Sequence, residues 1–296
     1  MKRVFLLAAI SAAAFGSAAF AVACIGDEPG PLPNTPDNDA DQPDTFRPDS
    51  GDPDAGQPLP KTLPELALWL DADDSASVVR NGSNDVTKWT DKSGKGRDFL
   101  KTQASNAPRF APQAMNKNTR NALLFTQSAQ QTLTGPKFDG FSNVEAFMVF
   151  QTIDSKADAA YGLSIFGPYG SQHPAATGLT VEALGSTSFP LSTNEIPAAN
   201  FYDPQIFGVI SKPGKYFAYW NGKVLTTSND NAVGFSTAGS LIGGTNVNTN
   251  TLNPTAWFNG YVAEFIIYAR QLTEQEHEAI QSYLSTKWGI PRWDGG

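Results

Sequence analysis

From Lys61 onward, short apolar or alternating runs follow one another, separated by Gly, Asn, Ser and Pro. Short strand-like runs without intervening helices are typical of an antiparallel sandwich or barrel. Ten runs have this pattern: 66–70, 122–125, 144–151, 162–166, 178–184, 206–210, 216–220, 223–227, 241–243 and 261–269. The 19 Phe, 8 Tyr and 6 Trp, against only 17% charged residues, fit a β-rich domain with a well-filled core.

Two local signals predict individual elements. Asn221-Gly222 separates two strand-like runs and predicts a type I′ hairpin, in which both central residues have positive φ. Thr273 and Glu276 have the spacing of a capping box, which predicts the start of a helix.

The apolar residues of this helix form one stripe. Ile280, Leu284 and Trp288 recur at i, i+4 and i+8, so we expect the helix to pack on the sandwich through them. Gly289 and Pro291 predict its end. At this spacing Trp288 is expected to be a core residue rather than a ligand-binding one.

The first 24 residues have the pattern of a lipoprotein export signal. Two basic residues precede an uncharged stretch, 4–23, that is rich in Ala, Leu and Phe. Small residues then precede Cys24, the only cysteine of the chain, as in the bacterial lipobox. We expect residues 1–23 to be a cleaved signal peptide and Cys24 to be lipidated, with an uncleaved membrane-spanning helix as the alternative. Ile25 after the cysteine favours the outer membrane.

Residues 24–60 have the composition of a spacer. They hold nine Pro, eight Asp and almost no large apolar side chain, so they bury too little surface to offset the entropy of ordering. We expect a disordered tether that leads to one domain, residues 61–296. The tether carries nine acidic side chains against one base, Arg47, which leaves the domain with a net charge of −2.

These features exclude or disfavour several function classes. The nearly neutral domain has no basic stripe that could neutralise phosphates, so no nucleic-acid partner is expected. A single cysteine excludes an intramolecular disulfide. His173 and His277, the only histidines, lie far apart in the sequence with no cysteine near either, so we expect no zinc site.

Segments at both ends of the domain resemble a known family. Residues 66–72 (LALWLDA) and 86–96 (VTKWTDKSGKG) are similar to the start of bacterial laminin-G-like domains, which belong to the concanavalin A-like lectin/glucanase superfamily. Residues 258–268 (FNGYVAEFIIY) and 283–289 (YLSTKWG) resemble their end. The resemblance covers roughly residues 63–290 and implies an all-β, two-sheet antiparallel jelly-roll sandwich with one short C-terminal α-helix. It implies no single activity, since the superfamily contains lectins, calcium-dependent receptors, glucanases and structural modules.

A glycosidase would need two carboxylates, roughly 5–9 Å apart. The related glucanases carry them as Glu-x-Asp-x-x-Glu on one strand, and this pattern is absent from the sequence. Glu274, Glu276 and Glu278 fall on the predicted helix, where residues i and i+2 do not face each other. We therefore expect a protein that is not an enzyme. Glu264 lies in an apolar strand, and we expect it to be a paired or hydrogen-bonded structural carboxylate.

Asp71, Asp73 and Asp91 are the candidate calcium ligands. Hard cations take carboxylate oxygens, and the resemblance implies calcium binding in some members of the superfamily. Asp91 also begins the sequence Asp-Lys-Ser-Gly, typical of a turn in which the carboxylate accepts from the backbone two residues on. The sequence favours the turn, with calcium as the alternative.

Tyr169, Tyr202 and Trp257 are the candidate sugar-binding residues, because each is an aromatic residue in a predicted loop. Each could instead cover the core. We expect a lipid-anchored envelope protein, periplasmic or surface-exposed, with a lectin-like adhesion domain for glycan or protein ligands. The alternatives are a structural envelope module without a small ligand and a hydrolase with an unrecognised site.

Overall fold

Two antiparallel sheets and a C-terminal helix form a β-sandwich of jelly-roll type, as the sequence predicts. The computed structural model describes residues 60–101, 107–138, 141, 143–153, 203–213, 215–228, 240–245 and 256–292. In chain order the strands of this part are β1 (Leu66–Asp71), β2 (Val78–Arg80), β3 (Val86–Trp89), β4 (Phe99–Leu100), β5 (Arg109–Met115), β6 (Arg120–Phe125), β7 (Leu133–Gly135), β8 (Val144–Thr152), β9 (Gln205–Lys212), β10 (Lys215–Trp220), β11 (Lys223–Ser228), β12 (Ser240–Ile242), β13 (Gly244–Thr245), β14 (Ala256–Trp257) and β15 (Gly260–Tyr268). The helix α1 is Glu274–Trp288.

In the described part of the chain, the larger sheet has eight strands in the order β11-β10-β9-β8-β15-β6-β5, with β1 also paired to β15. The smaller sheet has the order β12-β7-β4-β3-β2, and β13 and β14 form a separate ribbon. All these pairings are antiparallel.

Strands β1 and β6 lie end to end along one edge of β15. Val262 of β15 pairs with Leu123 of β6, and Glu264 pairs with Asp71 of β1. Between Val262 and Glu264, the pairing of β15 with β8 shifts by one residue, which leaves a β-bulge at Ala263. A bulge of this kind re-aims the neighbouring side chains, and here Glu264 faces α1.

Two apolar layers cover both faces of the larger sheet. The first lies between the sheets and includes Leu68, Phe265 and Trp89. The second lies between the larger sheet and α1 and includes Trp69 and Ile266. The central strand β15 is therefore buried along most of its length, because the smaller sheet covers one face and α1 covers the other.

The predicted helix and its packing stripe are confirmed. Thr273 and Glu276 form the capping box, with both reciprocal hydrogen bonds present. Ile280, Leu284 and Trp288 are completely buried against the larger sheet, so Trp288 is a core residue as expected. After the last turn, Gly289 adopts the left-handed conformation (φ 65°) and its N–H donates to Ser285 O.

The predicted hairpin is also confirmed. Asn221 and Gly222 join β10 to β11 with φ values of 49° and 88°. Seven of the ten predicted strands fall in the larger sheet and one in β12, whereas 162–166 and 178–184 lie outside the described residues. Strands β2, β3, β4 and β7 of the smaller sheet have only two to four residues and lack the apolar runs that would identify them.

The predicted signal peptide, Cys24 and the tether up to position 59 lie outside the described residues. Pro60, the last tether residue, is buried, and its carbonyl accepts from the Tyr268 hydroxyl at 2.9 Å. Among the described residues, none of the helices has the length and apolar character needed to cross a membrane.

Candidate functional site

A cluster of charged side chains is buried between α1 and the strands β1 and β15. Its centre is Glu264, which is completely buried. Glu264 Oε1 accepts from Trp69 Nε1 at 2.8 Å and from the Tyr283 hydroxyl at 2.9 Å. Glu264 Oε2 accepts from Trp288 Nε1 at 2.7 Å and lies 2.9 Å from Lys287 Nζ. Among the described residues, four donors therefore hold this carboxylate, which confirms that it is paired and hydrogen-bonded.

Asp71 faces Glu264 across the β1–β15 pair and shares its cation. Asp71 Oδ1 lies 2.8 Å from Lys287 Nζ and accepts from Asp73 N at 3.1 Å. Asp71 Oδ2 accepts from Lys92 Nζ at 2.9 Å. The result is a buried bridge in which Lys287 joins the two strands to the helix.

The pKa shifts follow from burial and from this shared cation. Burial opposes ionisation of Asp71, but Lys287 and Lys92 outweigh it and lower the pKa of Asp71. Burial raises the pKa of Glu264 above its ordinary value, and Lys287 offsets only part of this effect. Although burial disfavours the ammonium form, Glu264 and Asp71 together raise the pKa of Lys287. Lys287 is thus held as a cation.

The arrangement of Asp71 and Glu264 has some likeness to a glycosidase pair, because both carboxylates lie within 2.9 Å of one nitrogen atom. Their surroundings differ from such a site. The two side chains are buried under α1, and every carboxylate oxygen already accepts from a protein donor. The cluster therefore serves to dock α1 on the larger sheet.

The turn predicted at Asp91 is confirmed. Asp91 Oδ1 accepts from Ser93 N at 2.9 Å, two residues on, and from Trp69 N at 3.0 Å. Asp91 Oδ2 accepts from the Ser93 hydroxyl at 2.7 Å and from Arg97 N at 3.0 Å. The carboxylate thus organises its own loop and attaches it to β1.

Asp73 joins the ends of β1 and β6. Its Oδ1 accepts from Asn121 N and its Oδ2 from Arg120 Nη1, both at 2.9 Å. Of the three predicted calcium ligands, Asp71 and Asp73 lie two residues apart, and the Asp73 N–H donates to Asp71 Oδ1. Asp91 lies in its own loop. Within the described ranges, no three acidic, His or Cys side chains are grouped so that they could hold a metal ion. Calcium binding stays a prediction.

Another buried carboxylate, that of Glu145, fixes the start of α1. Glu145 Oε2 accepts from Leu272 N at 2.8 Å, and Glu145 Oε1 contacts His277 Nδ1. The centroid of the Tyr219 ring lies 5.0 Å from the centroid of the His277 ring. Burial, and then the charge of Glu145, raise the pKa of Tyr219 to about 12. Glu145 is thus another docking group for the helix.

An open cleft of about 420 Å³ lies at the C-terminal end of α1, where the β5–β6 turn, the end of β8 and the start of β9 meet. Among the described residues, its polar lining consists of Asn116, Lys117, Asn118, Gln151 and Asp203. Sequence reasoning missed these residues. The Asn-rich segment before β6 indicates a turn, but no sequence pattern places it beside the ends of β8 and β9.

The β5–β6 turn beside the cleft has an unusual backbone. Asn116, Lys117 and Asn118 all have positive φ, at 47°, 54° and 64°. Asn116 Nδ2 donates to Lys287 O at 3.1 Å. A Cβ atom at Gly289 would lie only 2.3 Å from Asn116 Oδ1, so the turn packs tightly against the end of the helix.

The predicted sugar-binding aromatics lie apart from this cleft or outside the described residues. Trp257 is half-buried in the β13–β14 ribbon, where it pairs with Gly244, and it does not line the cleft. Tyr169 and Tyr202 lie outside the described residues. Their roles in sugar binding stay predictions.

No family model matches this chain, and no curated protein matches it. Among solved structures, it is similar to domain 4 of an extracellular arabinanase from Geobacillus stearothermophilus, in complex with arabinotriose. The TM-score is 0.46 at 16% identity, over 74% of this chain and 96% of that one.

Two further similar structures are larger than this chain. A Trypanosoma rangeli sialidase in complex with sialic acid gives a TM-score of 0.45 at 15% identity, over 75% of this chain and 33% of the sialidase. The binding domain of Paraclostridial Mosquitocidal Protein 1 gives 0.44 at 14% identity, over 79% of this chain and 56% of that domain. At these TM-scores and identities, the similarity carries no argument about ligand or activity.

Proposed function

We propose that this chain is a lipid-anchored envelope protein whose β-sandwich is a non-catalytic binding domain for glycan or protein ligands. The observation that supports a non-catalytic role is the ion-pair bridge that Lys287 forms between Asp71 and Glu264. A retaining glycosidase needs one free carboxylate as nucleophile and one as acid, with substrate between them. In this structure Lys287 Nζ lies between the two carboxylates, where the substrate would have to bind, and α1 covers both of them.

The cleft at the C-terminal end of α1 supports the proposal that the domain binds ligands. Concave sites that combine apolar walls with a few polar groups are the usual form of small-ligand sites. This cleft is open and is lined by amide and charged side chains, in contrast to the buried docking cluster.

The test is binding of the full chain, purified in detergent, to an array of glycans and envelope proteins, with and without calcium. We expect retention of a subset of ligands. A complete lack of binding under both conditions would support the structural-module alternative instead.

The proposed lipid anchor rests on the sequence of residues 1–24. Acyl chains contribute about 0.8 kcal/mol per buried methylene, so several chains on Cys24 would hold the protein to a leaflet. Cys24→Ser is expected to move the protein from the membrane fraction to the soluble fraction or to block its processing. Unchanged processing and membrane retention in this variant would reject the lipid anchor.

A further inference from the structure

The cleft at the C-terminal end of α1 has the size and the mixed lining of a small-ligand site. Its volume of about 420 Å³ falls within the usual range of roughly 300–1,000 Å³ for such pockets. Ala114, Pro204 and Pro291, which are partly or fully exposed, contribute apolar wall. The cleft can therefore take up a compact ligand that has both apolar and polar surface.

The polar groups of the cleft suit hydroxyl groups in particular. An amide side chain both donates and accepts, a carboxylate accepts, and a hydroxyl can match either group. Asn118 and Asp203 are exposed in the cleft. Within the described part of the chain, neither side chain has a hydrogen-bond partner, so both are available to a ligand.

The charges of the cleft favour a neutral ligand. Among the described lining residues, Lys117 and Asp203 contribute one charge of each sign, so together these residues give no net charge that would attract an anion or a cation. An anionic ligand would lie near the Asp203 carboxylate, and like charges brought together disfavour binding. A wholly apolar ligand would leave the polar groups without partners, which also costs free energy.

The turn that carries Asn116, Lys117 and Asn118 is held in place before any ligand arrives. Left-handed backbone costs roughly 1–2 kcal/mol at each non-glycine residue, although Asn tolerates it better than most. The hydrogen bond from Asn116 to Lys287 O and the close contact with Gly289 hold the turn against the helix. A site formed in advance in this way loses little entropy when it binds.

We infer that this cleft binds a neutral saccharide unit, whose hydroxyl groups pair with Asn118 and Asp203 while its apolar face lies on the cleft wall. The inference rests on the proposed binding function and assigns it a site and a ligand class. It places the site on the helix side of the sandwich, in a cleft that Trp257 does not line.

The experiment uses the full chain in detergent and isothermal titration with cellotriose, maltotriose and mannotriose, with trigalacturonate as the acidic comparison. Asn118→Gly removes the amide but keeps a residue that accepts the left-handed backbone. Its control is Asn84→Gly, because Asn84 is an exposed asparagine with φ 63° outside the cleft.

Asp203→Asn removes the carboxylate, and Glu274→Gln is its control. Glu274 is an exposed acid at the first turn of α1, about 20 Å along the helix from the cleft. We expect at least one neutral trisaccharide to bind, with about tenfold or greater loss of affinity in each cleft variant and unchanged affinity in both controls.

Three results would overturn the inference. Binding that cleft variants leave unchanged but Trp257→Ala abolishes would place the site at the β13–β14 ribbon, and the proposed binding function would stand. A preference for trigalacturonate over the neutral sugars would reject the neutral class. Binding of protein ligands alone would reject a saccharide site while leaving the binding domain in place.

Discussion

Lys287 Nζ of the C-terminal helix lies 2.9 Å from the completely buried Oε2 of Glu264 in the central strand. Because the same nitrogen also lies 2.8 Å from Asp71 Oδ1, one cation holds together two strands and the helix. Removing one partner of a buried ion pair leaves an uncompensated buried charge. The attachment of α1 should therefore depend strongly on this lysine.

Lys287→Met should lower the free energy of unfolding by about 3–5 kcal/mol at neutral pH, since two facing carboxylates lose their shared cation. Urea unfolding would measure the change. Lys95→Met is the control, because Lys95 is exposed. Adding Glu264→Gln to Lys287→Met should recover part of the loss. A loss below about 1 kcal/mol in Lys287→Met would mean that the bridge does not stabilise the fold.

Gly289→Ala should be costly for two reasons, its positive φ and the clash of the new Cβ with Asn116 Oδ1. Gly222→Ala isolates the first reason, since Gly222 has φ 88° but no atom within 4 Å of an added Cβ. We expect losses of about 3 and about 1 kcal/mol, respectively, in chemical denaturation. Equal losses would show that the β5–β6 turn gives way to the methyl group.

Glu276→Gln should weaken the pH dependence of stability in acid. Arg270 binds Glu276 through two hydrogen bonds of 2.7 Å, and this interaction, with the Thr273 N–H, lowers the pKa of Glu276 from 4.5 to about 2. The ion pair therefore adds stability above pH 4.5, and this contribution is lost as the pH falls toward 2.

The difference in unfolding free energy between the wild type and Glu276→Gln should be about 0.5–1 kcal/mol at pH 6 and should vanish near pH 2. Gln still accepts from Thr273 N, so the variant isolates the charge. Glu274→Gln is the control, because it removes an exposed acid from the same turn and leaves the pair of Arg270 and Glu276 in place. A difference that stays constant from pH 6 to pH 2 would contradict the assigned pKa.

Local patterns are enough to predict the helix and seven of the eight strands that the described residues contribute to the larger sheet, but not β5. The hairpin at Asn221-Gly222 and the capping box of Thr273 and Glu276 each depend on a few adjacent residues, and both are confirmed. The smaller sheet was mostly missed because its strands are short and expose residues such as Leu100 and Val79. Its pairing depends on contacts between distant segments, which no local pattern encodes.

The candidate site was less predictable than the fold. A lone Glu264 within an apolar strand signals the need for buried partners, and that expectation is confirmed. Its partner Lys287 looks like a surface residue of an amphipathic helix, since its burial follows from the way α1 lies on β1 and β15. The cleft depends on four segments that meet only in the folded chain, so Asn118 and Asp203 have no sequence signal.

The proposed function is that the domain binds ligands without transforming them. Its most direct test is to incubate the full chain with each polysaccharide that it retains and to measure the release of reducing ends over time. We expect retention with no release above the level of the protein-free control. Release that grows with protein concentration and disappears when the chain is denatured would contradict the non-catalytic assignment.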